Sequence, residues 1–106
     1  ASAEPLLVDA ERVMLEQHEA QPENVLLRER LAGVQGDRGR YHELKASRSV
    51  GAARTSQLQL ALEWTRKAEG HFAELVAQQR LPLGSSEDLE KVRGRIAECE
   101  AALDKA

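Results

Sequence analysis

Three histidines and one cysteine, His18, His42, His71 and Cys99, are the side chains of this 106-residue chain best suited to hold a metal or act as nucleophile and base. No two of them lie three or four residues apart. None therefore shares a helix face with another, as helical zinc ligands must. They read as isolated surface or seam residues. The lone cysteine excludes an internal disulfide and is compatible with a reducing or an oxidising compartment. Carboxylates are plentiful, but each has a Lys or Arg nearby at helical spacing. Glu63 with Lys67, and Glu87 with Lys91, are i,i+4 pairs in the favourable orientation, which decorate a solvated helix surface. No Ser-His-Asp signature appears, nor any glycine loop of the kind that cradles phosphates. The expectation is a chain that is not an enzyme, with no catalytic residues, no metal ligands, no cofactor and no small-molecule substrate in this segment.

Gly33, Gly36 and Gly39 recur at every third position. Each costs roughly 1 kcal/mol against Ala inside a helix. Two readings stand side by side: a close approach of another backbone, or a weak, exposed stretch. Trp64 lies just off a Leu58–Leu75 stripe and is expected to be buried against a partner helix.

The elements that must position these residues follow from composition and period. The chain is 42% hydrophobic but only 3% aromatic, and 31% of it is charged. Leu, Ala and Val in a charged background are typical of long amphipathic helices. Net charge is −3 with acids and bases interspersed, so there is no electrostatic footprint for nucleic acid. No apolar run approaches the ~18 residues that a membrane-spanning helix needs.

Breaks fall at Ala20-Gln21-Pro22-Glu23, at Ser47-Arg48-Ser49-Val50-Gly51, and at Leu81-Pro82-Leu83-Gly84-Ser85-Ser86. Pro22 suits the first turn of a new helix, and Ser85 with Asp88 suits a helix start. Between the breaks the apolar residues recur at helical spacing. Leu7, Ala10, Met14 and His18 make one stripe. Leu27, Leu31, Val34, Arg38 and Tyr41 make a second, with Arg38 in an apolar position. Leu58, Ala61, Thr65, Ala68, Phe72 and Leu75 follow, and then Leu89, Val92, Ile96, Cys99 and Leu103. The last three have the alternating three- and four-residue steps of a coiled-coil seam. Helices are expected over residues 3–20, 22–47, 52–80 and 86–105, the first two either separate or running on as one rod bent at Pro22.

The fold class is therefore all-α, a single helical coiled-coil segment over 1–106. In one geometry it is an antiparallel hairpin turning at 47–51, with arms of about 45 and 54 residues and a rod roughly 65–75 Å long. In the other, the helix at 86–105 folds back after Gly84 into a three-helix, spectrin-like bundle.

The stretch Arg40-Tyr41-His42-Glu43-Leu44, with Val50-Gly51 after it, resembles the hairpin tip of periplasmic adaptors, the HlyD-like membrane fusion proteins. In that family an Arg, a Leu four residues later and a Ser seven beyond the Leu dock into grooves of a TolC-type outer-membrane channel. Arg40 and Leu44 match, Val50 fits the apolar residue before the Ser, and Gly51 stands where the family has Ser. The run Glu98-Cys99-Glu100-Ala101-Ala102-Leu103 resembles the descending arm of such adaptors. The likeness covers about residues 23–106. It implies an excised hairpin, without the family's lipoyl and β-barrel parts, whose partner-binding residues are Arg40, Leu44, Val50 and Gly51. It implies an outer-membrane channel and an inner-membrane transporter as partners, copies side by side as a homo-oligomer, and a role in efflux or secretion. The location implied is the periplasm, anchored to the inner membrane through parts outside this chain. On that reading Gly51→Ser restores the family's polar group and is tolerated.

A second resemblance is to a spectrin-type repeat, with Trp64-Thr65-Arg66-Lys67-Ala68-Glu69 like the start of its first helix and Ser86–Leu103 as its second. It implies a cytoplasmic, cytoskeletal scaffold that binds other proteins.

Overall fold

The computed structural model describes residues 4–78 and 85–105. They form four helices and no strand: α1 (Glu4–Ala20), α2 (Val25–Ser47), α3 (Gly51–Ala77) and α4 (Ser85–Asp104). The all-α class follows. Leu81 to Gly84, which carry most of the expected third break, lie outside the described residues.

Local chemistry explains the boundaries. Helix α2 starts later than Pro22, because Asn24 takes the N-cap and its side chain accepts the Leu27 N–H at 3.2 Å. Asn ranks among the best N-cap residues, and Pro22 is left in the turn before it. The turn after α2 falls where the polar run predicts it. The Arg48 and Ser49 N–H groups reach back to the Lys45 and Ala46 carbonyls, both at 3.1 Å. Ser47 and Ser49 hydroxyls donate to the Leu44 and Lys45 carbonyls, covering acceptors that the helix end would leave open. Gly51, at φ +59, then opens α3. Glu87 and Asp88 place two carboxylates in the first turn of α4, where the helix dipole favours them.

Successive helices run antiparallel. Between α2 and α3, Arg28 meets Glu74 while His42 meets Gln57. Between α3 and α4, Glu69 meets Arg93 and Arg66 meets Glu100. On the other side of the α2–α3 pair, Glu11 of α1 meets Arg38. The α2–α3 pair is thus the spine, with α1 against one side and α4 against the other.

The structure measures 42 × 28 × 17 Å, so the 65–75 Å rod is not formed. The chain doubles back after α1 as well as after α3, because both outer helices carry apolar stripes that a straight rod would leave in water. On α4, Leu89, Val92, Ile96 and Cys99 are buried in one cluster with Ala61, Leu62, Ala68 and Phe72 of α3 and Ala32 of α2. On α1, the Leu7, Ala10, Met14 and His18 stripe is half-buried, and no residue of this helix is fully buried. A three-helix bundle does not describe the chain either, since α1 adds a fourth helix. Nor does a helix begin near Trp64, as the spectrin-type frame requires. Trp64 is mid-way along α3.

All six residues of the Leu58–Leu75 seam are buried. Helix α2 differs from expectation. Leu27 and Leu31 are buried, but Val34, Arg38 and Tyr41 are only half so. The α2 seam facing α3 is instead Ala32, Gln35, Gly39, His42 and Ala46, in steps of three, four, three and four, and all buried. Small and polar residues make this seam, so hydrophobic periodicity does not reveal it. At Gly39 the helices come closest. A Cβ there would overlap the Thr65 hydroxyl and lie 3.1 Å from the Ala61 carbonyl oxygen. The glycine run therefore divides: Gly39 serves a close approach, Gly36 is in ordinary contact with Ala68 and Arg95, and Gly33 has open space.

Candidate functional site

The α2–α3 turn places the residues singled out by the adaptor resemblance at one end of the spine. Arg40 and Leu44, four residues apart, share the face of α2 turned away from the Gly39–His42–Ala46 seam, and both are exposed. Leu44 is 48% exposed and Val50, the most exposed large apolar residue among those described, 85%. Next to them, the start of α3 and the end of α4 enclose an open groove of 570 Å³ lined by Gly51, Arg54, Thr55, Glu98, Ala101, Ala102 and Lys105. An apolar edge and a mixed-charge groove thus adjoin at the turn. Gly51 corrects the expectation for serine. Its Cβ would meet nothing within 4 Å, but φ +59 is a left-handed conformation that L side chains rarely adopt. A serine there is strained by about 1–2 kcal/mol, so Gly51→Ser is unfavourable at the turn itself.

No family model, curated protein or solved structure matches this chain. Its chemistry has to be read from its own side chains.

At the opposite end of the spine, three helices bring together groups that the sequence keeps far apart. His18 of α1 and His71 of α3 meet edge to face, ring centroids 5.6 Å apart. Arg28 of α2 donates from Nε to His71 Nδ1 at 3.0 Å and pairs with Glu74 through Nη2. His71 Nδ1 is therefore an acceptor, and the ring is neutral with its proton on Nε2. Burial lowers the His71 pKa below its ordinary 6.5, with Arg28 and His18 adding to the effect and Glu74 opposing it. The ion pair with Arg28 lowers the Glu74 pKa. Spacing along the chain cannot show a pair of histidines 53 positions apart. The one available signal is that His18 ends the α1 stripe. Among the described residues, no group of three or more His, Cys, Asp and Glu is arranged to hold a metal ion.

Arg38 fills an apolar position in its stripe for a visible reason. Its guanidinium lies 3.7 Å from the centre of the Trp64 ring and bonds Glu11 at 2.7 Å. Arginine can stack flat on an indole while its edge reaches a carboxylate. Lys67 covers Trp64 as well, at 4.1 Å, and ion-pairs with Glu63 at 3.9 Å. The companion pair expected between Glu87 and Lys91 is not formed.

Where α4 leans over α2, Arg95 donates to the Gly36 carbonyl at 2.8 Å and to Glu43 at 3.1 Å. The Cys99 thiol points at the same carboxylate, 3.7 Å away. Burial pushes the Cys99 thiol up to about 11, and Glu43 adds to the shift. Thiolate is the reactive form, so this cysteine is inert at neutral pH. Alkylation of Cys99 by iodoacetamide at pH 8 should be at least tenfold slower in the native protein than in urea. Equal rates would show that the α4 seam opens readily.

Proposed function

We propose that this chain is a helical protein-binding module that docks through the α2–α3 turn, with Arg40, Leu44 and Val50 as its contact residues. The observation that carries this reading is the exposure of Leu44 and Val50 on either side of a well-bonded turn. Apolar side chains left in water beside an open groove gain stability when a partner covers them. Arg40, on the same face as Leu44, adds a fork of donors for a partner's carbonyls or carboxylates.

The partner class comes from the resemblance to HlyD-like adaptors: an outer-membrane channel of TolC type, with an inner-membrane transporter as the second component and the periplasm as the location. The hairpin in this reading is the α2–α3 pair, whose 27-residue α3 is roughly 40 Å long. Helices α1 and α4 fold back along it. Copies standing side by side around a channel would present several such turns at once.

The test is direct. Arg40→Ala and Leu44→Ala should each weaken binding to a purified TolC-type channel at least tenfold, the equivalent of about 1.4 kcal/mol. Neither residue is in a seam, so melting temperatures should stay within about 3 °C of wild type. Binding that is unchanged in both variants would remove the turn as the docking surface. Failure of the wild-type chain to bind the channel would remove that partner class.

A further inference from the structure

We propose that the contact between His18 and His71 is an acid-released latch that frees α1 from the α2–α3 pair as His71 becomes protonated. Each helix around the contact contributes a charge or a titratable group. Helix α1 supplies His18, α2 supplies Arg28, and α3 supplies His71 and Glu74. In the neutral state the cluster is consistent. His71 Nδ1 accepts from Arg28, and Glu74 balances the guanidinium. His18 Nδ1 is buried with no hydrogen-bond partner among the described residues, so it is a group not stabilised in its place.

Protonation reverses each relation. A proton on His71 Nδ1 points at the Arg28 Nε–H, so an accepting nitrogen becomes a second donor and that bond is lost. The added charge lies against the His18 ring of α1 as well as beside Arg28. Like charges at these separations repel most where water is excluded. Arg28 belongs to α2 and stays beside His71 when α1 leaves; what α1 itself adds is part of the burial and the nearness of His18, both of which lower the His71 pKa. Docked His71 therefore binds protons less readily than undocked His71. The docking stability it contributes is complete above the undocked pKa, which Arg28 holds at or below 6.5, and falls as pH drops through that value toward the docked one.

Helix α1 is the element able to yield. It has no fully buried residue, and Leu6, Val8, Val13 and Leu15 are exposed along it. Besides the histidines, Glu11 ties it to the spine through Arg38. By contrast α2, α3 and α4 share one buried cluster. The third histidine, His42, bonds Gln57 at 2.7 Å across the α2–α3 seam near the turn, at the other end of the spine.

Amide hydrogen exchange on the full chain at pH 7.5 and 5.5, corrected for intrinsic rates, tests the latch. Protection in α1 should fall several-fold at pH 5.5, below the roughly tenfold ceiling that one histidine can supply, while protection in α2 and α3 changes less than twofold. His71→Gln should make α1 protection independent of pH, since the amide oxygen can accept from Arg28 and does not titrate. Should that variant not fold, the imidazole titration of His71 in the wild-type chain decides. Its midpoint should lie below 6.5 and coincide with the opening of α1. Protection of α1 that ignores pH, loss shared equally by all helices, an unchanged response in His71→Gln, or a His71 midpoint unlinked to α1 would each overturn the latch.

Discussion

Gly39→Leu is expected to reduce the unfolding free energy by about 3 kcal/mol or more, with Gly39→Ala losing about 1–2 kcal/mol. Even one added carbon has nowhere to go. It would overlap the Thr65 hydroxyl, which is held by a 2.6 Å bond to the Ala61 carbonyl, and it would approach backbone atoms of α3 at 3.1 and 3.2 Å. Relief requires moving two helices apart along their whole seam. Overpacking of a tight core costs about 1–3 kcal/mol per step, offset in part by the roughly 1 kcal/mol that Ala gains over Gly in a helix. Removing the obstructing hydroxyl should recover part of the loss. Thr65→Ala combined with Gly39→Ala should therefore be more stable than the sum of the single changes, by about 1 kcal/mol in urea denaturation. Gly33→Ala is the control, since open space surrounds that position. It should stabilise by about 0.4–1 kcal/mol. Equal responses at Gly33 and Gly39 would refute the close approach.

Phe72→Ala should cost about 3–5 kcal/mol. Phe72 is 4% exposed and sits among Ala32 of α2, its own α3 neighbours, and Leu89, Val92 and Ile96 of α4. It is the one large aromatic in that cluster, so truncation opens a cavity that small neighbours cannot fill. A loss of that size lowers the melting temperature by roughly 12 °C or more for a chain of about 100 residues. Hydrogen exchange should show α4 losing protection first, because α4 joins the spine through this cluster. Leu6→Ala, at a position 75% exposed, should change stability by less than about 0.5 kcal/mol. A Phe72→Ala loss below about 1 kcal/mol would mean that α4 does not depend on this contact.

The two tests probe the parts of the fold that were read with opposite success. The α3 and α4 seams were legible as residues because they are long, apolar and spaced at three and four; the α3 seam is buried throughout and the α4 seam from Leu89 to Cys99, with Leu103 half-buried. The turn at 47–51 was legible because its serines bond to helix-end carbonyls and Gly51 adopts the left-handed conformation. Arg40, Leu44 and Val50 were singled out by the adaptor resemblance, and they are exposed around that turn. The α2 seam was not legible, because Ala, Gln, Gly and His signal no hydrophobic period.

By itself, then, the sequence determined that this protein is helical, where its central turn falls and which faces of α3 and α4 are buried. Those features depend on neighbours within about one helical turn. The tertiary structure decided that the outer helices fold back, that Gly39 rather than Gly33 holds the close approach, and that His18 and His71 meet. The physical reason is shared by all three. Each rests on which helix faces which, and an apolar stripe records only that it must be covered, not what covers it.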